Sequence, residues 1–73
     1  MEVIAVFNYS KLLGRIVEVC GTRAIFAEKM GLSERTISLK LNNKIEWKQN
    51  EMELACSVLS FPVSEIPAYF FAT

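Results

Sequence analysis

Apolar residues recur every three to four positions along most of this chain, a spacing typical of short amphipathic helices. The first such stretch covers residues 9–20 and ends at Gly21, after which Thr22 is placed to cap a second helix. Its apolar stripe consists of Leu12, Leu13, Ile16, Val19 and Cys20. We therefore expect a helix here that buries one side and exposes the other.

Glycine, serine and asparagine separate the next two elements. The second and third helices are predicted over about residues 23–30 and 34–42. Gly31 can adopt the left-handed conformation that ends a helix, and Ser33 is a good N-cap for the helix that follows. The pair Asn42-Asn43 can end the third helix, because asparagine also tolerates the left-handed conformation.

The remaining apolar residues predict two more helices and an arm. A fourth helix is expected over about 49–60, and a short fifth helix begins after Ser64, with Pro67 in its first turn. The buried side of the fourth helix is predicted to hold Met52, Leu54, Ala55, Val58 and Leu59. Residues 1–7 alternate weakly and predict a short extended arm, which leaves 8–73 as one compact all-α domain of five helices.

The high hydrophobic content of the chain bears on whether it associates with a partner. The chain has 73 residues, enough for one domain, and 52% of them are hydrophobic. A domain of this size buries only about 60% of its unfolded surface. Either the core is well filled or part of the apolar surface belongs to a partner, and we expect a second copy of the chain. The two cysteines are expected to be buried and reduced, and without histidine they cannot complete a zinc site.

Without a signal peptide or an apolar run of about 20 residues, the chain is expected to be cytoplasmic, with no membrane partner.

Charge is distributed unevenly although it sums to zero. Residues 22–48 contain six basic and three acidic side chains, a net charge of +3, whereas residues 49–73 contain three glutamates and no basic residue. A phosphate-binding surface needs local rather than overall positive charge. The positive segment coincides with the second and third helices. No catalytic set accompanies it, so we expect neither an enzyme nor a cofactor.

The third helix is the candidate site. Ile37 and Leu41 are one turn apart and are expected to face inward, while other residues point outward or to the flank: Glu34, Arg35, Ser38, Leu39 and Asn42. A helix of this kind fits the DNA major groove, where Arg35 can pair with guanine O6 and N7. The alternative for Arg35 is an exposed side chain without a partner. Leu39 suits a thymine methyl group and a protein partner equally well.

Further contacts are predicted around this helix and in the tail. Arg23 is expected to contact a phosphate at the start of the second helix. Additional backbone contacts are expected from Lys40, Asn42, Asn43 and Lys44. The aromatic tail exceeds what one short helix can bury, and its candidates for a two-fold dimer contact are Phe61, Ile66, Tyr69, Phe70 and Phe71. Residues 44–48 form a connector between the third and fourth helices, and Trp47 is expected to pack under this connector rather than to stack beside DNA.

The run F-A-E-x-x-G-L-S-E-R-T-I-S-x-K-L-N-x-K, residues 26–44, resembles the helix-turn-helix of small Cro-type and repressor proteins of phages, within the lambda-repressor-like family. The resemblance extends from Phe7 to Phe71 toward short regulators of phages and prophages of Gram-positive bacteria. It implies a five-helix domain that binds operator DNA and represses phage promoters. By match to the motif, the family's DNA contacts fall on Arg23, Ser33, Glu34, Arg35, Ser38 and Leu39.

These observations are consistent with two functions, and a third function is supported more weakly. The first is a sequence-specific regulator that binds double-stranded operator DNA as a homodimer through the third helix. The second is an antirepressor, a protein-interaction module that binds another phage regulator and blocks its DNA-binding surface. The near-neutral charge, the exposed Leu39 and the apolar ends favour this second reading. The third is the antitoxin half of a toxin–antitoxin pair.

Overall fold

All regular structure in residues 6–73, the part of the chain that the computed structural model describes, is helical. The five α-helices are α1 (Ser10–Cys20), α2 (Arg23–Met30), α3 (Glu34–Leu41), α4 (Gln49–Leu59) and α5 (Ile66–Phe70). A 3-10 turn, Val63–Glu65, leads directly into α5. The predicted all-α class with five helices is confirmed. Most of the predicted arm, residues 1–5, lies outside the described residues.

The helix ends follow from the residues that stand there. The Thr22 hydroxyl accepts a hydrogen bond from the Ile25 amide at 3.1 Å, which caps α2. The Ser33 hydroxyl accepts one from the Thr36 amide, also at 3.1 Å, which caps α3. Gly31 has a φ of 72° and ends α2 in the left-handed conformation. These caps were predicted, and they fix a short connection between α2 and α3.

A core of apolar side chains from every helix lies at the centre. Its largest fully buried members are Leu12, Ile16, Phe26, Ile37, Leu59 and Phe70. Helix α2 packs against α1, α3 and α4, so it is the central element, and α5 closes the core over α1. Cys20 and Cys56 are buried free thiols, as predicted. None of the helices in residues 6–73 combines the length and hydropathy that crossing a membrane requires.

Arg15 fastens α1 to the end of α4. Its Nε donates to the Leu59 carbonyl at 2.8 Å, and its Nη2 donates to the Ser60 carbonyl at 3.1 Å. Glu18 pairs with the remaining Nη1 at 2.7 Å. These bonds satisfy carbonyl groups that the end of a helix leaves without partners. Ser60 itself has a φ of 58°, so the side chain of Arg15 supports a turn that serine rarely adopts.

The aromatic tail is mostly part of the core, which corrects the predicted dimer contact. Phe61 and Tyr69 are buried and stack on one another with ring centroids 4.0 Å apart. Phe70 is buried and meets the Trp47 ring edge-to-face at 5.1 Å. The prediction was wrong for these residues because a core this small needs their rings to close it. Ile66 is half-buried against the core, and Phe71 alone of the five predicted contacts is exposed.

Candidate functional site on the third helix

Helix α3 offers a polar side to its surroundings. Ile37 and Leu41 are buried, as predicted. We call the opposite side the α3 surface. It consists of exposed Glu34, Arg35 and Asn42 and half-buried Ser38 and Leu39. The structure therefore brings together the outward residues that the helical spacing predicted, on a helix about 12 Å long.

The charges of the α3 surface have both signs. Glu34 and Arg35 are neighbours, and among residues 6–73 neither takes part in a salt bridge. Glu34 lies in the first turn of α3, where a carboxylate is favoured by the helix dipole. The same carboxylate opposes any phosphate that approaches Arg35. The surface is therefore suited to a partner that itself carries both positive and negative groups.

Lys40 is not part of this surface, which corrects its prediction as a DNA contact. It is only 2% exposed. Its Nζ forms an ion pair with Glu51 Oε1 at 2.8 Å and donates to the Glu46 carbonyl at 2.9 Å. The ammonium also lies 5.7 Å from the centroid of the Trp47 ring. These contacts tie α3 to the connector and to α4, and they remove one positive charge from the exterior.

The Glu51 carboxylate is held ionised by its neighbours. Burial by itself raises the pKa of Glu51, but hydrogen bonds from the Lys40 ammonium and the Lys48 amide outweigh it. The positive charges of Lys40 and Lys48 act in the same direction, so the pKa lies below its ordinary value. The Lys48 amide donates to Glu51 Oε1 at 2.9 Å, which also stabilises the start of α4.

The asparagines after α3 make contacts within the chain. Asn42 Nδ2 donates to the Ser38 carbonyl at 2.8 Å and remains exposed. Asn43 has a φ of 60°, and both ends of its side-chain amide bind the Phe7 backbone at 3.0 Å. Asn43 is therefore engaged with the Phe7 backbone through both Oδ1 and Nδ2, which argues against its prediction as a DNA contact. Lys44 is exposed, as a surface contact requires.

The two remaining predicted contacts lie at helix starts. Arg23 is exposed at the first position of α2. The Ser33 hydroxyl is engaged with Thr36, whose Oγ1 lies 2.8 Å away and whose amide it caps.

Trp47 is half-buried against Phe70, which agrees with its predicted place under the connector. Its indole Nε1 is buried without a hydrogen-bond partner in the described part of the chain.

Comparison with known proteins gives a matching family, a similar solved structure and one negative result. The model of the family described as "Protein of unknown function (DUF739)" matches residues 5–73. A solved structure that is similar to the chain is the solution structure of the modulator of repression (MOR) of the temperate bacteriophage TP901-1 from Lactococcus lactis. The two sequences are 55% identical, the match covers 89% of this chain and 88% of that chain, and the TM-score is 0.80. Among curated proteins there is no significant match.

These findings correct the family and the function expected from the sequence. The resemblance to Cro-type and repressor proteins was misleading, because the similar structure is a modulator of repression and the matching family is a different one. The prediction of an operator-binding regulator was wrong on the same ground, and the descriptions DNA-binding, helix-turn-helix and Cro-like are not supported. The match agrees better with the alternative, a protein-interaction module. With the family model matching almost its whole length, the chain belongs to the DUF739 family of proteins of unknown function.

Proposed function

We propose that this chain is a protein-interaction module that binds a phage repressor and modulates repression, acting by binding and not by catalysis. The observation that carries the proposal is the similarity to the modulator of repression of phage TP901-1, 55% identical over 89% of this chain. At that identity and a TM-score of 0.80, the two proteins share their fold and, within the matched region, more than half of their side chains.

The α3 surface supports a protein partner over a nucleic acid. DNA affinity rises with the number of phosphates that basic side chains neutralise. The lysine of α3, Lys40, is instead neutralised by Glu51 inside the protein. Glu34 adds a negative charge beside Arg35, and half-buried Leu39 adds an apolar contact. A protein surface with complementary charges and an apolar pocket would use all three groups.

The proposed mechanism is competition for the repressor. A protein that binds a repressor so that it can no longer bind operators lowers the concentration of repressor free to bind DNA. Because the effect depends on mass action, its extent follows the ratio of this protein to the repressor. No change in the fold of either protein is required.

Direct binding and operator competition test the proposal. The probe is the purified repressor of phage TP901-1, whose modulator of repression is similar to this chain, titrated by isothermal calorimetry. We expect a complex with a Kd in the micromolar range or below, and the release of a labelled operator fragment from the repressor as this protein is added. Absence of a complex at low salt and tens of micromolar protein would refute the proposal. Binding of the operator by this chain alone would also contradict it.

Charge reversal locates the contact. We expect Arg35→Glu to weaken the complex at least tenfold, because the partner group that faces Arg35 would then meet a like charge. The control is Glu53→Lys on α4, where an exposed charge is also reversed but away from the α3 surface. We expect this variant to stay within threefold of the wild type. Equal effects of the two variants would exclude α3 as the contact surface.

A further inference from the structure

The Asn43 side chain holds the start of the described chain against the end of α3. The Phe7 amide donates to Asn43 Oδ1, and Asn43 Nδ2 donates to the Phe7 carbonyl, each at 3.0 Å and across 36 positions of sequence. On the next residue, the Asn8 amide donates to the Ala72 carbonyl at 2.6 Å. The segment at residues 6–8 therefore lies between the end of α3 and the end of the chain. We call the two bonds of Asn43 the Asn43–Phe7 bridge.

Three exposed apolar side chains adjoin this bridge. Val6 precedes Phe7 and is 68% exposed. Ile45 stands two positions after Asn43 and is 43% exposed. Phe71 is 47% exposed, and its ring centroid is 5.6 Å from that of Phe7. We call Val6, Ile45 and Phe71 the terminal apolar patch. It is assembled from three distant parts of the sequence.

The patch is connected through the backbone to the end of α3. The amide of Lys44, which precedes Ile45, donates to the carbonyl of Leu39 on the α3 surface at 2.9 Å. Asn42 of that surface directly precedes Asn43 of the bridge. Among residues 6–73, the other large apolar side chains that are exposed lie on α1, α2, α4 and the 3-10 turn: Val17, Val19, Ile25, Leu54 and Val63. The terminal apolar patch is thus the apolar group linked through the backbone to the end of α3.

The size of a stable interface calls for such an extension. A specific protein–protein interface buries about 800 Å² on each partner and takes about 20–30 residues from each side. The α3 surface offers five side chains on a helix about 12 Å long, most of them polar. The centre of an interface is depleted in charged residues and enriched in apolar and aromatic ones. A repressor seated on α3 alone would find neither the area nor the apolar centre.

We propose that the terminal apolar patch is the apolar part of the repressor-binding surface, continuous with α3, and that the Asn43–Phe7 bridge holds it in place. This inference rests on the proposed function, since it assigns a second contact area to the same partner. The partner is expected to present an apolar area beside the groups that meet Arg35 and Glu34. Binding then buries Val6, Ile45 and Phe71 together with the α3 surface.

Single aspartate substitutions test the patch with a matched control. Val6→Asp and Ile45→Asp place a charge in the proposed contact, whereas Val63→Asp places the same charge on a valine that is 61% exposed on the 3-10 turn. Each variant is titrated against the same repressor as in the test of the proposed function, after thermal melts show that the variant is folded. We expect Val6→Asp and Ile45→Asp to raise the Kd at least tenfold and Val63→Asp to change it less than twofold.

The outcomes separate this inference from the proposed function. Wild-type binding with all three variants within twofold of it would overturn the patch and leave the proposed function intact. An equal loss in Val63→Asp would also overturn the patch, because added charge alone would explain the effect. No binding by the wild type would refute the proposed function and the inference together. If Ile45→Asp melts early, Val6→Asp, at the more exposed position, decides the question.

Discussion

Replacing Lys40 by methionine removes an ammonium group that is buried between α3 and α4 and leaves the carboxylate of Glu51 without its partner. Breaking a buried ion pair by removing one member costs about 3–5 kcal/mol. Because the Glu51 side chain is 14% exposed, water can solvate part of its charge, and we expect the lower end, about 3 kcal/mol. The total stability of a chain of 73 residues is roughly 4–11 kcal/mol. The substitution is therefore a severe one.

A double-mutant cycle tests whether the pairing itself causes this loss. Glu51→Gln keeps an oxygen that can accept the Lys48 amide, so the start of α4 is preserved. In Lys40→Met with Glu51→Gln, neither charge is stranded, and an apolar side chain fills the space next to a neutral amide. We expect the double variant to be more stable than Lys40→Met alone, by about 1–2 kcal/mol, with a coupling energy well above the error of the cycle.

Urea unfolding followed by Trp47 fluorescence is a suitable assay, because Trp47 is the only tryptophan of the chain and lies 5.7 Å from the Lys40 ammonium. The free energy of unfolding is compared only among variants whose m-values agree. Losses in the single variants that add up in the double variant would refute the reasoning, since independent sites show no coupling. A stability of Lys40→Met equal to the wild type would refute it outright.

Three further predictions concern pH, helix α1 and the bridge. The pKa of Glu51 is lowered by folding, so its stabilising contribution is complete above the ordinary value of about 4.5 and is lost as the pH falls below it. Urea midpoints between pH 7 and pH 3 should fall less steeply in Glu51→Gln than in the wild type. A Cβ added at Gly14 meets no atom within 4 Å, so Gly14→Ala should stabilise the helix by about 0.5–1 kcal/mol and raise the Tm; a lower Tm would contradict this. Asn43→Gly keeps the left-handed backbone but loses both bonds to Phe7, which should cost about 1–3 kcal/mol in urea unfolding, and an unchanged midpoint would show that the bridge contributes nothing.

Local patterns were sufficient to predict the helices and their ends. Thr22, Ser33 and Gly31 act within three or four residues of themselves, so their roles can be read from neighbouring positions. The fourth helix shows the limit of this approach. Its apolar spacing predicted a buried Leu54, which is exposed. Which side of a helix is buried depends on the elements packed against it. Apolar periodicity alone identifies the buried residues only to within about one position.

The error about function has a similar origin in contacts between distant residues. From the sequence around α3, Lys40 and Asn43 were predicted to contact a phosphate backbone. In the structure both side chains make contacts within the chain: Lys40 pairs with Glu51 in α4, and Asn43 binds the backbone of Phe7, 36 positions away. With these two side chains turned inward, the outer side of α3 loses a positive charge and gains an apolar neighbour in the terminal apolar patch. A short capped helix that follows Gly31 is thus compatible with binding either DNA or a protein. The contacts that Lys40 and Asn43 make within the chain favour a protein-binding function.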